Sequence, residues 1–174
     1  MPMMKQSLIQ IAMSILLLCA PCAFAEKDKL PIPRFVTIKS DEVNARTGPN
    51  LRYPIRWVLV KKGEPVEVIA EFEHWRHIRD YYGDEGWVHE SMLSGKRSVV
   101  VVGQDLQSMH QAADPVAPIK ALLEPGVRAD LDHCQNQWCE ILYGQVRGWM
   151  HRDSLWGIYP RADKSTAPAS DVAW

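Results

Sequence analysis

Polar and apolar positions alternate most regularly between Pro65 and Phe72. Val66, Val68, Ala70 and Phe72 interleave with Glu67 and Glu71, and Ile69 alone breaks the period. Successive side chains of a strand point to opposite faces, so a period of two predicts a half-buried strand. Shorter apolar runs surround it. Arg34–Lys39 carries Phe35, Val36 and Ile38, Arg56–Lys61 carries Trp57, Leu59 and Val60, and Trp75–Arg79 and Gly86–Val88 follow. One helical turn is predicted at Glu90–Leu93. Turn formers crowd Asn44–Asn50, Lys62–Glu64 and Asp80–Glu85. The run Val99–Val102 ends this unit or passes into the next. Five short strands between closely spaced turns predict a small antiparallel barrel.

The pattern then recurs. Gly63 precedes Trp75 by 12 positions, as Gly126 precedes Trp138. Trp87 follows Trp75 by 12 and Trp149 follows Trp138 by 11, while Leu93 and Leu155 each lie 6 beyond the second tryptophan. Spacing held over such a length predicts one small unit built twice. The second copy reads as strands at Ile119–Leu123, Val127–Leu131, Trp138–Leu142 and Arg147–Met150. Its front is degenerate: residues 103–118 hold only Asp114-Pro115 and Ala117-Pro118 where the first copy has Asn44-Ala45-Arg46-Thr47-Gly48-Pro49. The expected organisation is all-β: an extended leader over 26–33, one unit over 34–97, a second over 98–160, and a polar tail over 161–174 too poor in apolar residues to order itself.

Residues 1–25 have the layout of a signal peptide. Lys5 precedes the apolar run Leu8–Leu18, and Ala23-Phe24-Ala25 offers a small-x-small cleavage site. Cleavage after Ala25 predicts a periplasmic chain of 149 residues beginning at Glu26, with a formal charge of −2. Such a balance gives no electrostatic footprint for nucleic acid. No later stretch is apolar enough to span a bilayer.

Cys134 and Cys139 then remain, flanking a predicted hairpin tip at Gln135–Trp138. Opposed residues of an antiparallel pair approach closely enough for a disulfide, and export permits one. C-x4-C is not a redox motif, and two ligands are too few for structural zinc.

Taken together, Val43–Asn50, Lys62–Val68, Trp75–Ile78 and Gly86–His89 resemble the bacterial SH3-like (SH3b-type) family, over about residues 34–160. The chain resembles more closely the exported two-unit forms from Gram-negative bacteria. Those carry a cysteine pair around the second-unit tryptophan and end in a motif like Leu155–Pro160. The resemblance implies two tandem SH3-like barrels and a cell-envelope binding module. Family members are often attached to peptidoglycan hydrolases, and this sequence is expected to carry none. Loss of the N-x-R-x-G-P turn from the second unit argues against a second equivalent site.

The expected function is non-enzymatic binding of cell-wall peptide or glycan. The alternative is a scaffold subunit that binds an envelope protein. The candidate ligand residues are Arg46, Asn50, Tyr53, Trp57, Trp75, Tyr81 and Tyr82, all in the first unit. Flat amphipathic rings suit glycan and peptide grooves. Arg46 has two readings: a fork for a carboxylate, or a brace on backbone carbonyls. Asn44 reads as the cap of the same turn, and Trp87 as core. His74 and His77, three apart, are expected on opposite faces of a strand, unable to share an ion. His89 and His151, in matched positions, point to a shared structural bond. No catalytic set, metal site or cofactor is expected.

Overall fold

The computed structural model describes residues 30–159. The predicted signal peptide and the tail from residue 161 lie outside these. Fourteen strands form two antiparallel sheets of seven. The first contains β1 (Arg34–Ile38), β2 (Val43–Arg46), β3 (Ile55–Leu59), β4 (Pro65–Phe72), β5 (Trp75–Arg79), β6 (Glu85–His89) and β7 (Leu93–Ser94). Its order is β3-β2-β6-β5-β4-β1-β7. The second contains β8 (Ser98–Val101), β9 (Gln107–His110), β10 (Ile119–Leu123), β11 (Arg128–Gln135), β12 (Trp138–Tyr143), β13 (Val146–His151) and β14 (Leu155–Trp156). Its order, β10-β9-β13-β12-β11-β8-β14, is the first order displaced by seven. The chain is all-β, as two tandem SH3-like barrels. Of the ambiguous run at Val99–Val102, the first three residues lie in β8 of the second sheet and Val102 follows it.

Each barrel closes on its own apolar core. Ile38, Val43, Ala45, Val66, Val68, Ile78 and Val88 fill the first. Val99, Val101, Met109, Leu123, Cys139, Ile141 and Met150 are among those filling the second. The break at Ile69 has a structural cause. Val68 pairs with Ile78 and Ala70 with His77, so Ile69 is the extra residue of a β-bulge. A bulge reverses the alternation beyond it. Val66 and Val68 therefore point into the core, while Phe72 ends up 51% exposed. Asp132 occupies the matching bulge of the second sheet, between Leu131↔Ile141 and His133↔Glu140.

Register also explains the disulfide. Beyond the bulge, Glu71 pairs across the hairpin with Arg76, and Cys134 pairs with Cys139. The first hairpin is clamped there by an ion pair, Arg76 Nε to Glu71 at 2.9 Å, with Arg34 also on Glu71. The second is clamped by the Cys134–Cys139 bond, with Cα atoms 4.0 Å apart. The closed loop is short, so replacing both cysteines with alanine is expected to lower stability by about 2 kcal/mol and leave the fold intact. Chemical denaturation of the oxidised parent beside the variant measures this. An equal midpoint would show that the bond adds nothing.

The histidine pair does share a bond. His89 Nδ1 accepts from the Ser91 amide at 3.3 Å, and His151 Nδ1 from the Asp153 amide at 3.4 Å. Each caps a single 3-10 turn, at Glu90–Met92 and Arg152–Ser154. Each ring also meets a tryptophan edge-on, Trp75 at 5.5 Å and Trp138 at 5.6 Å. His74 falls in the turn before β5, bonded to Glu90 at 2.8 Å, whereas His77 stacks on Trp87 at 4.9 Å. Trp87 is half-buried on the outer side of β6, between buried Gly86 and Val88. It is outside the core that the sequence suggested for it.

The barrels are bolted together directly. Only residues 95–97 separate β7 from β8. Thr37 Oγ1 lies 2.9 Å from Ser98 Oγ, and Arg128 pairs with Glu64 at 3.8 Å. Phe35 packs against Trp156 at 5.1 Å and Tyr159 at 4.8 Å. The Tyr159 hydroxyl donates to Glu67 Oε1 at 2.7 Å, and Glu67 Oε2 accepts from Arg79 Nη2 at 2.6 Å. Glu67 is only 8% exposed, so both partners are needed to satisfy its charge.

Candidate functional site

The loop between β2 and β3 builds a solvent-open cavity on the first barrel. Its neck closes where the Thr47 amide donates to Pro54 O at 3.0 Å. Inside it, Asn50 Oδ1 accepts from the Arg52 amide at 3.0 Å, a side-chain turn typical of asparagine. The Tyr53 ring lies on Gly48, where an added Cβ would fall 2.6 Å from ring carbons. Glycine at 48 thus allows the ring to fold back on its own loop. Pro49, Asn50, Arg52, Tyr53 and Phe72 line a cavity of about 570 Å³. Tyr53 is 46% exposed, so one ring face is held by the loop while much of the ring stays open to solvent.

Arg46 is the last residue of β2, and its Nη1 donates to Leu51 O at 3.2 Å and Tyr53 O at 2.8 Å. This is the bracing geometry. The other guanidinium nitrogens carry no such bond among the described residues. Arg46→Lys is expected to lower stability by about 1 kcal/mol, because lysine ends one atom short of the Nη1 position from which both carbonyls are reached. A thermal melt checks this, and an unchanged melt would return Arg46 to the ligand reading alone. Asn44, expected to cap the turn, instead lies within β2 opposite Val58.

The seven candidates do not form one patch. Asn50 and Tyr53 line the cavity, with Arg46 behind them. Trp57 packs against the core, with the Arg56 guanidinium 4.5 Å from its ring. Trp75 is 8% exposed and presents almost nothing to a ligand. Tyr81 and Tyr82 lie on a separate turn, fixed by Asp80 Oδ1 accepting from the Tyr82 and Asp84 amides at 2.9 Å each. Tyr81 faces Trp156 of the second barrel at 5.7 Å, and Tyr82 projects outward beneath Lys61 at 5.5 Å. Pro49, Arg52 and Phe72 are the cavity residues that sequence reasoning missed. Ile69 was the signal for Phe72, since an interrupted alternation marks a bulge.

The front of the second barrel is less degenerate than its sequence. A loop over 111–118 closes through the Gln111 amide to Pro118 O at 2.8 Å, as Thr47 closes on Pro54. His110 pairs with Trp149 as Arg46 pairs with Trp87. His110 Nδ1 lies 2.9 Å from Ala117 O, so the brace survives with a different residue.

Asp132, His133 and Glu140 bring three potential metal ligands within 4.8 Å of one another. Arg147 sits among them, 3.3 Å from Asp132 and 3.2 Å from Glu140. Its guanidinium already pairs with both carboxylates of the group. The hydrogen bond from His133, and then that from Arg147, hold the Asp132 carboxyl below its ordinary value.

The bacterial SH3 domain pattern matches residues 39–95 and again 103–157, one match to each sheet. The chain belongs to the bacterial SH3 domain family. Among curated proteins, this SH3 pair is similar to one from Bacillus subtilis (strain 168) named "Putative N-acetylmuramoyl-L-alanine amidase YrvJ". The two are 25% identical over 123 residues, 65% of this chain and 24% of that protein. The chain therefore spans about a quarter of that relative's length. Among solved structures, it is similar to NlpC2 and NlpC1 from Trichomonas vaginalis. Their identities are 13% and 12%, each with a TM-score of 0.35 over 78% of this chain and 52% and 50% of theirs. An NlpC/P60 family protein from Bacillus cereus ATCC 10987 matches at 11% identity and a TM-score of 0.32, over 70% of this chain and 55% of that one. The chain spans about half of each.

Proposed function

We propose that this protein is an extracytoplasmic, non-catalytic module that binds peptidoglycan, through its peptide or its glycan, in the groove of the first SH3 barrel. The observation that carries this reading is the groove itself: a solvent-open cavity with Tyr53 and Phe72 at its sides and Asn50 and Arg52 as polar partners. Rings flanked by a few hydrogen-bonding groups suit a sugar or peptide backbone, which offers apolar faces and polar edges together. The lining includes no carboxylate, histidine, serine or cysteine that could act as base or nucleophile. The Bacillus subtilis relative supports a cell-wall setting, since its name places its substrate there. The signal-peptide layout of residues 1–25 agrees with export to the periplasm. Among the described residues no helix is long and apolar enough to cross a membrane.

Co-sedimentation of the purified protein with isolated sacculi tests the proposal. The parent is expected to pellet with the sacculi. The double variant Tyr53→Ala, Phe72→Ala is expected to bind at least tenfold more weakly, because it loses both ring faces. Both residues are about half exposed, so its thermal melt should fall only modestly below that of the parent. A parent that stays in the supernatant overturns wall binding. A folded double variant that binds like the parent removes the groove and leaves the Tyr81–Tyr82 turn.

A further inference from the structure

A second cavity, of about 420 Å³, lies on the second barrel, lined by Arg97, Arg152, Leu131, Ile158, Asp132 and Tyr159 among others. Its two arginines differ from their neighbours. Arg147 faces Asp132 and Glu140, and Arg128 faces Glu64. Arg97 Nη2 instead donates to Gly157 O at 3.0 Å. Arg152 donates to Asn136 O at 3.3 Å and Tyr159 O at 2.8 Å. All three acceptors are neutral carbonyls, and neither arginine forms an ion pair among the described residues. Arg152 Nε is buried with no hydrogen-bond partner, which is costly for a charged donor. Desolvation pulls the Arg97 guanidinium below its ordinary value, as expected of a cation without a counter-charge.

We propose that this cavity binds the free C-terminal carboxylate of a short peptide between the Arg97 and Arg152 guanidinium groups. The planar forks match two carboxylate oxygens. Asp132 on the same wall is already paired with Arg147 and bonded to His133, which leaves the two arginines as the unpaired charges of the cavity. Leu131 and Ile158 supply an apolar wall, which favours an aliphatic terminal residue over a bare small acid. The site shares no residue with the first-barrel groove, and it does not rest on the wall-binding reading.

The test is an NMR titration of the full chain with acetyl-alanyl-alanine as the free acid and as its C-terminal amide. The acid is expected to shift the backbone amide signals of residues 131–134 and 157–159, and the amide to leave them in place. Arg97→Gln gives up one carbonyl bond and should stay folded, while its response to the acid falls about tenfold. Arg152→Gln should lose the response similarly, read beside a thermal melt. The Tyr53→Ala, Phe72→Ala variant should respond like the parent. Equal response to acid and amide overturns the proposal, as does an undiminished response in folded Arg97→Gln. Loss of response in the first-barrel variant would place the binding there and overturn it too.

Discussion

Gly157→Ala is expected to melt far below the parent. Gly157 follows β14 at the junction of the two barrels, with φ at +111°. A Cβ there would lie 2.6 Å from Ser98 O, 3.2 Å from Val99 Cα and 3.3 Å from Pro65 Cβ. Two of these are backbone atoms of β8, which cannot swing aside as the end of a side chain can. The third belongs to the first barrel, so relief in that direction would separate the units. Strain and overlap together are expected to cost on the order of 3 kcal/mol or more. Gly126 is the control: its φ is +88°, but nothing lies within 4 Å of its missing Cβ. Gly126→Ala should cost only about 1–2 kcal/mol, the price of the left-handed backbone alone. Denaturant midpoints of the two variants separate strain from overlap. If Gly157→Ala is no worse than Gly126→Ala, the junction is looser than described.

Glu67→Ala is expected to lower stability by about 2 kcal/mol, because it removes the carboxylate that ties the Tyr159 hydroxyl to the Arg79 guanidinium, although Arg79 keeps Glu85 at 3.9 Å. Tyr159→Phe keeps the ring against Phe35 and loses a single hydrogen bond, at about 1 kcal/mol. The two residues are in direct contact, so the double variant should fall short of the sum. Full additivity would mean that the hydrogen bond couples nothing. The same contact gives stability an alkaline limit. Burial, and then the hydrogen bond to Glu67, raise the Tyr159 hydroxyl above its ordinary value of 10.0. A raised value means that the folded chain keeps a proton the unfolded chain releases. This contribution is complete below the unfolded value and is lost as pH rises through the folded one. Tyr159→Phe should therefore have a flatter melting curve against alkaline pH than the parent.

The architecture was legible because it is written twice. Tryptophan, glycine and leucine recur at matched intervals, and each interval is set by a hairpin whose length the barrel fixes. β4 and β5 have the bounds that the alternation predicts, and the cysteine pair declares its own hairpin. The groove was harder to read. A bulge turns Phe72 outward, and in sequence it shows only as one isoleucine out of phase. Arg46 and Trp75 are residue types that bind ligands and also hold folds together. Only geometry shows Arg46 reaching its own loop carbonyls and Trp75 shut against His89. The second loop was missed because its brace changed from arginine to histidine while Pro118 kept the place of Pro54. Arg97 and Arg152 are far apart in sequence, and nothing local marks them as neighbours of one cavity.

The three-residue connection between β7 and β8 matters beyond stability. Beads on a flexible string search independently, and each capture must freeze out the swing of the tether. Here the swing was given up during folding, when Thr37 met Ser98 and Tyr159 reached Glu67. The two barrels therefore keep one spacing and angle once folded. A ligand held by one barrel therefore meets the other at a position set in advance, with no tether entropy left to lose.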